Sequence, residues 1–247
     1  RISMAKNTGE RQFDKKLIAV YDKYGLNKFL DVSASLLNIK DTANGPKKGR
    51  VNGELCEVVL RVMTEHYLRE RKIKGQVFHS LVLANKEYQR SDFRTELDFT
   101  LLTPFVCITA ECKSFSGELT ATDKCLLTRD PGRLKGLSAD VARQTNIHTT
   151  TLLPYLQEYV RGGAQVSRPP LYPFCFLYSN GALNDARDKS ARSALPILNI
   201  MTLFKYYDMI FKKCTREVYN VQKAAKVFQR MADSEILHIQ HANYLGY

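Results

Sequence analysis

Apolar and polar residues alternate in two neighbouring segments near the middle of the chain. Residues 95–102 and residues 105–114 both show this two-residue period, and Thr103 and Pro104 between them suit a turn. Side chains alternate faces along a strand. The pattern therefore predicts a β-hairpin in which position 102 faces 105 and position 98 faces 109. Its apolar face, which we expect to be buried, carries Leu97, Phe99, Leu101, Val106, Ile108, Ala110 and Cys112.

The opposite face of this hairpin carries charges at its open end. Asp98 and Glu111 become diagonal neighbours there, about 7–8 Å apart at their backbones, and Lys113 follows on the same face. Two carboxylates repel each other unless a cation lies between them, and their oxygens favour Mg²⁺ or Mn²⁺ over zinc. An ordinary solvated face with a salt bridge between Glu111 and Lys113 is the simpler alternative. Because this face becomes apolar toward the turn, we expect it to be covered and the charges to lie in a cleft.

One helical stripe precedes the hairpin and another follows it. From residue 54 to residue 70, apolar residues repeat at helical spacing, which predicts a helix with Glu54 in its first turn, facing the sheet. Stabilisation of the helix N-terminus explains Glu54 equally well. The second stripe, in residues 137–160, includes Gln144 and His148. A glutamine on a core-facing stripe needs hydrogen-bond partners, and backbone groups are its default partners.

Together these pieces resemble the nuclease-related domain, NERD, of the PD-(D/E)xK restriction-endonuclease-like superfamily. The resemblance covers about residues 50–180, and two departures from the family pattern leave the charged residues intact. No proline precedes Asp98, and Cys112 stands where valine or threonine is more usual. The matching pieces are Gly53-Glu54 at a helix start, Glu96-Leu97-Asp98 on a strand, Glu111-Cys112-Lys113 followed by Phe115-Ser116-Gly117, and Gln144 on a later helix.

The resemblance implies a mixed central sheet flanked by helices and a nuclease that depends on Mg²⁺ or Mn²⁺. Asp98 and Glu111 would bind the ion, with the Cys112 carbonyl as a further ligand, and Glu54 would bind a second ion or position a water. Lys113 would orient the attacking water or stabilise negative charge on the phosphate. Gln144 would hold Lys113 in place.

The other patterns predict an α/β fold in which helices surround this core. Residues 1–50 would form a helical N-terminal extension with a basic loop, and residues 51–180 the nuclease-like core. Residues 181–247 would form a C-terminal helical segment packed on the core, within one compact domain. A helix over 197–211 that is apolar nearly all round is expected to be buried, either in the fold or in a homodimer interface.

The balance of charge favours a nucleic-acid partner. The chain has 37 Lys and Arg against 25 Asp and Glu, a net charge of +12, although such a balance also serves solubility. One basic run, with Lys47, Lys48 and Arg50, is expected in a loop beside the Glu54 helix, where it could grip a backbone phosphate. Two further runs cover residues 69–74 and residues 212–216. No run resembles a sequence-reading module, so phosphate contacts should dominate; DNA is the expected substrate, and RNA stays open.

Several other classes of protein are disfavoured. The six cysteines form no C-x-x-C pair, which is typical of reduced thiols in the cytoplasm. No apolar run approaches membrane-spanning length, and no glycine-rich phosphate loop of an ATPase is present. The alternative to an enzyme is a silent nuclease-fold module that binds nucleic acid or a partner protein, and the choice between endonuclease and exonuclease stays open.

Overall fold

A five-stranded mixed sheet forms the centre of the molecule. The computed structural model describes residues 12–37, 46–84, 94–115, 117–123, 126–128, 138–161, 168–234 and 237–238. In spatial order its strands are β1 (Gln76–Ala84), β2 (Arg94–Leu102), β3 (Cys107–Phe115), β7 (Leu171–Ser179) and β9 (Ile197–Leu198). Strands β1, β2 and β3 pair in antiparallel fashion, and β3, β7 and β9 are parallel.

A second, smaller sheet contains four short strands. In spatial order they are β6 (Ser138–Asp140), β5 (Leu126–Thr128), β4 (Leu119–Ala121) and β8 (Leu183–Asp185). Only β4 and β8 are parallel neighbours. The sequence predicts loop and short extended structure over residues 115–136 and loop over residues 181–196, and it includes residues 138–140 in the helical segment 137–160. Three residues are too few to show a strand's alternation. The described part of the chain also contains the helices α1 (Gln12–Leu37), α2 (Pro46–Glu70), α3 (Val141–Gln157), α4 (Lys189–Ala194), α5 (Leu203–Lys213) and α6 (Val221–Ala232).

The larger sheet separates two hydrophobic cores. Helices α1, α2 and α5 pack on one face, where Ile108, Ala110 and Cys112 of β3 are buried. Helices α3 and α6 pack on the other face, over Leu102 and Cys107. The predicted α/β fold, a mixed central sheet flanked by helices, is therefore confirmed. So is the expectation that the apolar end of the charged hairpin face is covered.

Helix α2 begins earlier than the sequence pattern predicts. It starts at Pro46, so the backbones of Lys47, Lys48 and Arg50 are helical and the loop predicted for them is wrong. Proline is well suited to the first helical position, since its fixed φ matches the helix and its missing N–H is not needed there. Glu54 consequently lies in the third turn of the helix. Stabilisation of the helix N-terminus acts only within the first turn and does not explain this residue.

The predicted apolar helix over 197–211 is also wrong in its boundaries. Residues 197–198 form β9, and α5 presents only one buried face, with Leu203, Tyr206, Tyr207 and Ile210. That face packs within the chain, where the Tyr207 hydroxyl lies 2.8 Å from Thr64 Oγ1 of α2. The burial of α5 therefore needs no second subunit, and the homodimer stays a prediction. The division of the chain at residues 50 and 180 likewise stays a prediction.

The loops that follow β3 and β7 cross at a backbone contact. Gly117 has φ +86° and its N–H donates to Asn180 Oδ1 over 3.0 Å. A Cβ atom built on Gly181 would lie 2.0 Å from the Gly117 oxygen and 2.8 Å from the Glu118 nitrogen. Backbone atoms cannot move aside as a flexible side chain can, so this crossing requires glycine at position 181.

Gly181→Ala is expected to destabilise the protein by about 3 kcal/mol, because overpacking against backbone forces the two loops apart. Urea unfolding followed by circular dichroism measures the change. Gly53→Ala is the matched control, since nothing lies within 4 Å of its Cβ position in α2. That control should gain about 0.5–1 kcal/mol from helix propensity. Equal stabilities of the two variants would contradict the close crossing.

Candidate active site

Strands β1 and β2 share a break in their alternation at Ser80 and Asp98. The pairing of β1 with β2 omits this one position on both strands, and Ser80 has φ +52°. Leu97 consequently faces the core under α3 and α6, whereas Phe99 and Leu101 face the core under α1 and α2. The predicted single apolar face that includes Leu97 is therefore wrong at that residue. The break lies at the position of the first candidate ligand.

The register of the hairpin differs from the prediction by two residues. Leu102 pairs with Cys107 instead of residue 105, because Thr103 and Val106 close a four-residue turn in which Thr103 N donates to the Val106 oxygen over 3.0 Å. A two-residue shift preserves which side chains share a face. Glu111 therefore keeps its predicted face on β3 beside Lys113.

Asp98 bridges the two strands through its side chain instead of its backbone. The paired residues of β2 and β3 end at Phe99 and Ala110. One step further, Asp98 Oδ2 accepts a hydrogen bond from the Cys112 N–H over 2.8 Å. The carboxylate is thereby fixed against the strand that carries Glu111 and Lys113.

Glu111 is the centre of the charged cluster. Its side chain is only 4% exposed, and its Oε1 contacts the Lys113 ammonium. On the other side, His148 Nδ1 of α3 lies 3.2 Å from Glu111 Oε2. This contact is an ion pair when His148 is protonated. Its geometry is not that of an aligned hydrogen bond, because Oε2 has no hydrogen-bond partner of good geometry among the described residues. Residues of β2, β3 and α3 thus converge on one covered site.

The electrostatics of the two carboxyl groups are opposite. Part of the Asp98 surface reaches solvent, but protein atoms surround the carboxyl group, and this burial, together with the negative charge of Glu111, raises the pKa of Asp98 to about 7. Burial also acts to raise the pKa of Glu111, but His148 and Lys113 outweigh it and hold that pKa below its usual value. Burial acts to lower the pKa of Lys113, and the Glu111 carboxylate outweighs it and raises that pKa.

The donor set suits a hard divalent cation. Two carboxylates lie close enough for the charge of Glu111 to raise the pKa of Asp98, and a cation beside them would offset that repulsion. The buried Glu111 Oε2 has an unused acceptor position. Within the described ranges, however, no group of three or more His, Cys, Asp or Glu side chains is arranged to hold a metal ion. A metal would therefore take its remaining ligands from backbone, water or substrate, as Mg²⁺ commonly does.

The other predicted ligands take different positions. Glu54 is part-buried on α2, which packs on the opposite face of the sheet from α3, and it does not complete a three-residue metal group. Cys112 turns its side chain to the α2 face, so only its backbone belongs to the site. Of Lys47, Lys48 and Arg50 the structure describes the backbone in α2, and their phosphate contacts stay a prediction.

Helix α3 delivers a residue that sequence reasoning did not select. Gln144 lies in the first turn of α3 with an exposed side chain, off the buried stripe on which the sequence pattern places it. His148, one turn later, is buried and contacts Glu111. The expectation that Gln144 is core-facing is therefore wrong. The N-terminal part of α3 buries Val141 and Thr145 and leaves Gln144 exposed. The sequence feature that could have identified His148 is its place among the apolar residues of this helical stripe, where a titratable side chain is expected to be buried.

A comparison with protein families identifies the chain. A family model described as "Nuclease-related domain" matches residues 53–178, which is half of the 247 residues. The protein belongs to the NERD family. Its matched segment contains Asp98, Glu111, Lys113 and His148, and it ends one residue before β7 ends. The resemblance seen in the sequence is confirmed, and the function is nuclease-related.

Other comparisons add little to the NERD assignment. One solved structure, "Crystal Structure of Protein of Unknown Function AF1548", aligns with 75% of this chain and 96% of its own at 9% identity and a TM-score of 0.28. A likeness at this level supports no argument about fold or function. A search of curated proteins finds no match. In the described part of this NERD chain, no helix is both long and apolar enough to cross a membrane.

Proposed function

We propose that this NERD protein is a Mg²⁺- or Mn²⁺-dependent phosphodiesterase that cuts nucleic acid, with DNA as the first substrate to test. The observation that carries the proposal is the convergence of Asp98, Glu111 and Lys113 from two adjacent strands into one covered site. Two carboxylates and an ammonium are the groups that metal-assisted phosphodiester hydrolysis requires. A chain with a net charge of +12 also attracts polyanions.

Each residue of the site has a role that follows from its position. Asp98 and Glu111 would hold the cation, which when bound polarises the phosphate and lowers the pKa of a water. Lys113 lies against Glu111 with its ammonium charged, so it can stabilise negative charge that develops on the phosphoryl oxygens. His148 contacts the other Glu111 oxygen and fixes the orientation of this carboxylate.

One observation favours the silent alternative. Glu111 already contacts two cationic or polar partners, Lys113 and His148, which reduces the negative charge that would attract a metal. A nuclease-fold module that binds nucleic acid or a protein without cutting would be stable in this arrangement. The raised pKa of Asp98, caused first by its burial and then by the charge of Glu111, argues for the enzyme, because a buried carboxylate costs stability that a structural module has no need to lose.

Metal binding and cleavage can be measured on the same protein. We expect calorimetry to show one Mn²⁺ site in the wild type and none in Asp98→Ala or Glu111→Gln. Digestion of labelled single-stranded, duplex and nicked DNA and of RNA should require Mg²⁺ or Mn²⁺ and should be absent in both variants. Asp123→Ala, which removes an exposed carboxylate, is the matched control and should retain binding and cleavage.

The outcomes separate the two functions. Binding of nucleic acid without cleavage at any concentration of Mg²⁺ or Mn²⁺ would reject the enzyme and support the silent module. Cleavage that survives Glu111→Gln would reject the assignment of this site. Comparison of the four substrates would also decide between DNA and RNA.

A further inference from the structure

Two basic runs that lie far apart in the sequence meet at one end of the larger sheet. The segments 69–74 and 208–217 contain seven basic residues and three acidic ones. Within them Arg69, Arg71, Lys72, Lys74, Lys212, Lys213 and Arg216 are all exposed. We call these seven residues the basic end.

Contacts between helices and loops hold the basic end together. Arg71, just after α2, donates to Asp208 of α5 over 3.2 Å, one turn before Lys212. Lys213 lies 6.0 Å from the ring of Tyr172, near the start of β7. The patch is thus formed by packed elements and not by flexible tails.

The β2–β3 turn lies between the two segments. A Cβ atom on Gly75 would lie 3.2 Å from the Leu102 oxygen, on one side of that turn. On the other side, Val218 N donates to the Pro104 oxygen over 2.7 Å. Both basic segments therefore border the same end of the sheet, at the start of β3.

The acidic residues of the two segments neutralise the basic end only in part. Asp208 is bound by Arg71 and by the Tyr67 hydroxyl, and Glu217 is bound by Arg161, which lies outside both segments. Seven cations against three anions leave an excess of four positive charges on a surface that α2 and α5 hold in place. Such a concentration of one sign on one surface attracts a polyanion.

Lys72 gives a second reason to regard the patch as functional. It follows α2 in the left-handed conformation, with φ +53°, where Ile73 N donates back to the Leu68 oxygen over 2.9 Å. Glycine is the usual residue at this position because any Cβ is strained there. The exposed side chain of Lys72 adds a cation to the basic end at the cost of this backbone strain.

We infer that the basic end is an accessory site that binds the phosphate backbone of the nucleic acid whose cleavage is proposed above. Exposed large hydrophobic side chains in the described residues are Tyr24, Met201 and Met209, so the patch offers cations for phosphates and no exposed aromatic platform for stacked bases. The inference rests on the proposed function for the kind of polymer that is bound.

The position of the basic end sets a minimum length for a nucleic acid that contacts both the basic end and the active site. The patch lies at the start of β3, near Cys107, whereas Lys113 lies toward the end of the same strand. Six residues of strand span about 20 Å at about 3.3 Å per residue. A duplex rises about 3.4 Å per base pair, so nucleic acid that contacts both sites must extend about six base pairs or more beyond the scissile bond.

Binding without cleavage tests the accessory site. Fluorescence anisotropy in EDTA measures the Kd of the full chain for a labelled 30-base-pair duplex over a range of salt concentrations. We expect Lys212→Glu/Lys213→Glu to weaken binding at least about 10-fold at low salt and to reduce the slope of log Kd against log salt by about two. Lys223→Glu/Lys226→Glu makes the same charge change on exposed positions of α6 and should change Kd less than about 3-fold.

Lys72→Gly separates a binding role from a structural one. The substitution relieves the strained backbone and removes one cation, so it should raise the Tm and at the same time weaken duplex binding. Equal losses of duplex affinity in Lys212→Glu/Lys213→Glu and Lys223→Glu/Lys226→Glu would overturn the accessory site, since the change in net charge alone would then explain both. Weakened binding of anionic vesicles with unchanged duplex binding would overturn it in favour of a lipid surface.

A failure of the proposed active site can be distinguished from a failure of the accessory site. If the basic-end variants lose duplex affinity while Asp98→Ala and Glu111→Gln still cleave, the accessory site stands and the active-site assignment fails. In the enzyme, cleavage of duplexes should lose efficiency when fewer than about six base pairs extend past the cut. A length dependence that is identical in the wild type and in Lys212→Glu/Lys213→Glu would contradict the inferred placement.

Discussion

Replacement of Lys113 by alanine is expected to lower the rate of nucleic-acid cleavage by at least about 100-fold. The Lys113 ammonium contacts Glu111 in the covered site, and the Glu111 carboxylate raises its pKa, so it stays charged at neutral pH. A fixed cation in a site that excludes water stabilises a developing negative charge far more than it would in bulk water. A single-turnover digestion assay at saturating Mg²⁺ measures the loss.

A companion variant distinguishes the charge of Lys113 from its packing. Lys113→Met keeps most of the side-chain volume and removes only the cation, so it should be as inactive as Lys113→Ala. Both variants leave the buried Glu111 with His148 as its only remaining partner of this cluster, so a fall in Tm is expected in each. Lys189→Ala on exposed α4 is the control. An active Lys113→Met protein would show that the ammonium takes no part in the reaction.

Asp98→Asn is expected to stabilise the metal-free protein at alkaline pH. Burial and the Glu111 charge raise the pKa of Asp98 from 3.8 to about 7, a difference that corresponds to about 4 kcal/mol. Because part of the Asp98 surface reaches solvent, we expect about half of this, about 2 kcal/mol at pH 8. The amide that replaces the carboxyl group keeps an acceptor for the Cys112 N–H, so the strand contact survives.

The sign of this effect follows from the direction of the pKa change. A carboxyl group whose pKa is higher in the folded protein favours folding when it is protonated, and ionisation removes that contribution. The wild type should therefore lose stability relative to Asp98→Asn as the pH rises from about 4 to about 7, and the two should be equally stable near pH 4. Urea unfolding in EDTA measures the difference. Asp31→Asn, an exposed change on α1, should stay within about 0.5 kcal/mol at every pH.

The identity of the hairpin residues was predictable, whereas their pairing was not. Alternation along β2 and β3 places Glu111 and Lys113 on one face, and the two-residue error in register leaves that face unchanged. The turn depends on Thr103, whose hydroxyl accepts from the Phe105 and Val106 N–H groups and so favours a longer turn than two residues. Asp98 bonds to the Cys112 N–H at the position where the side-chain alternation of β1 and β2 breaks. The sequence does not show this break, because serine is not a residue type that indicates a positive φ.

Long-range packing explains the other differences. The apolar stripe of α3 predicts a helix on the sheet, but which residue of that stripe reaches Glu111 depends on where the helix crosses β3. That crossing selects His148 and leaves Gln144 exposed. The basic end is invisible in sequence for the same reason, because α2 and α5 meet only after the chain has wound around the sheet. Such contacts are properties of the fold and not of local patterns.

The parallel pairing of β3 with β7 has a consequence for the newly made chain. Lys113 lies opposite Leu177, 64 residues later, and translation proceeds at about 5–20 residues per second. The strand that carries Glu111 and Lys113 therefore exists for about 3–13 s before the strand that flanks it has been made. His148 is also absent during the first part of that interval. A nascent chain that ends before β7 thus lacks a complete site, so the cleavage proposed above would begin only after Leu177 has been added.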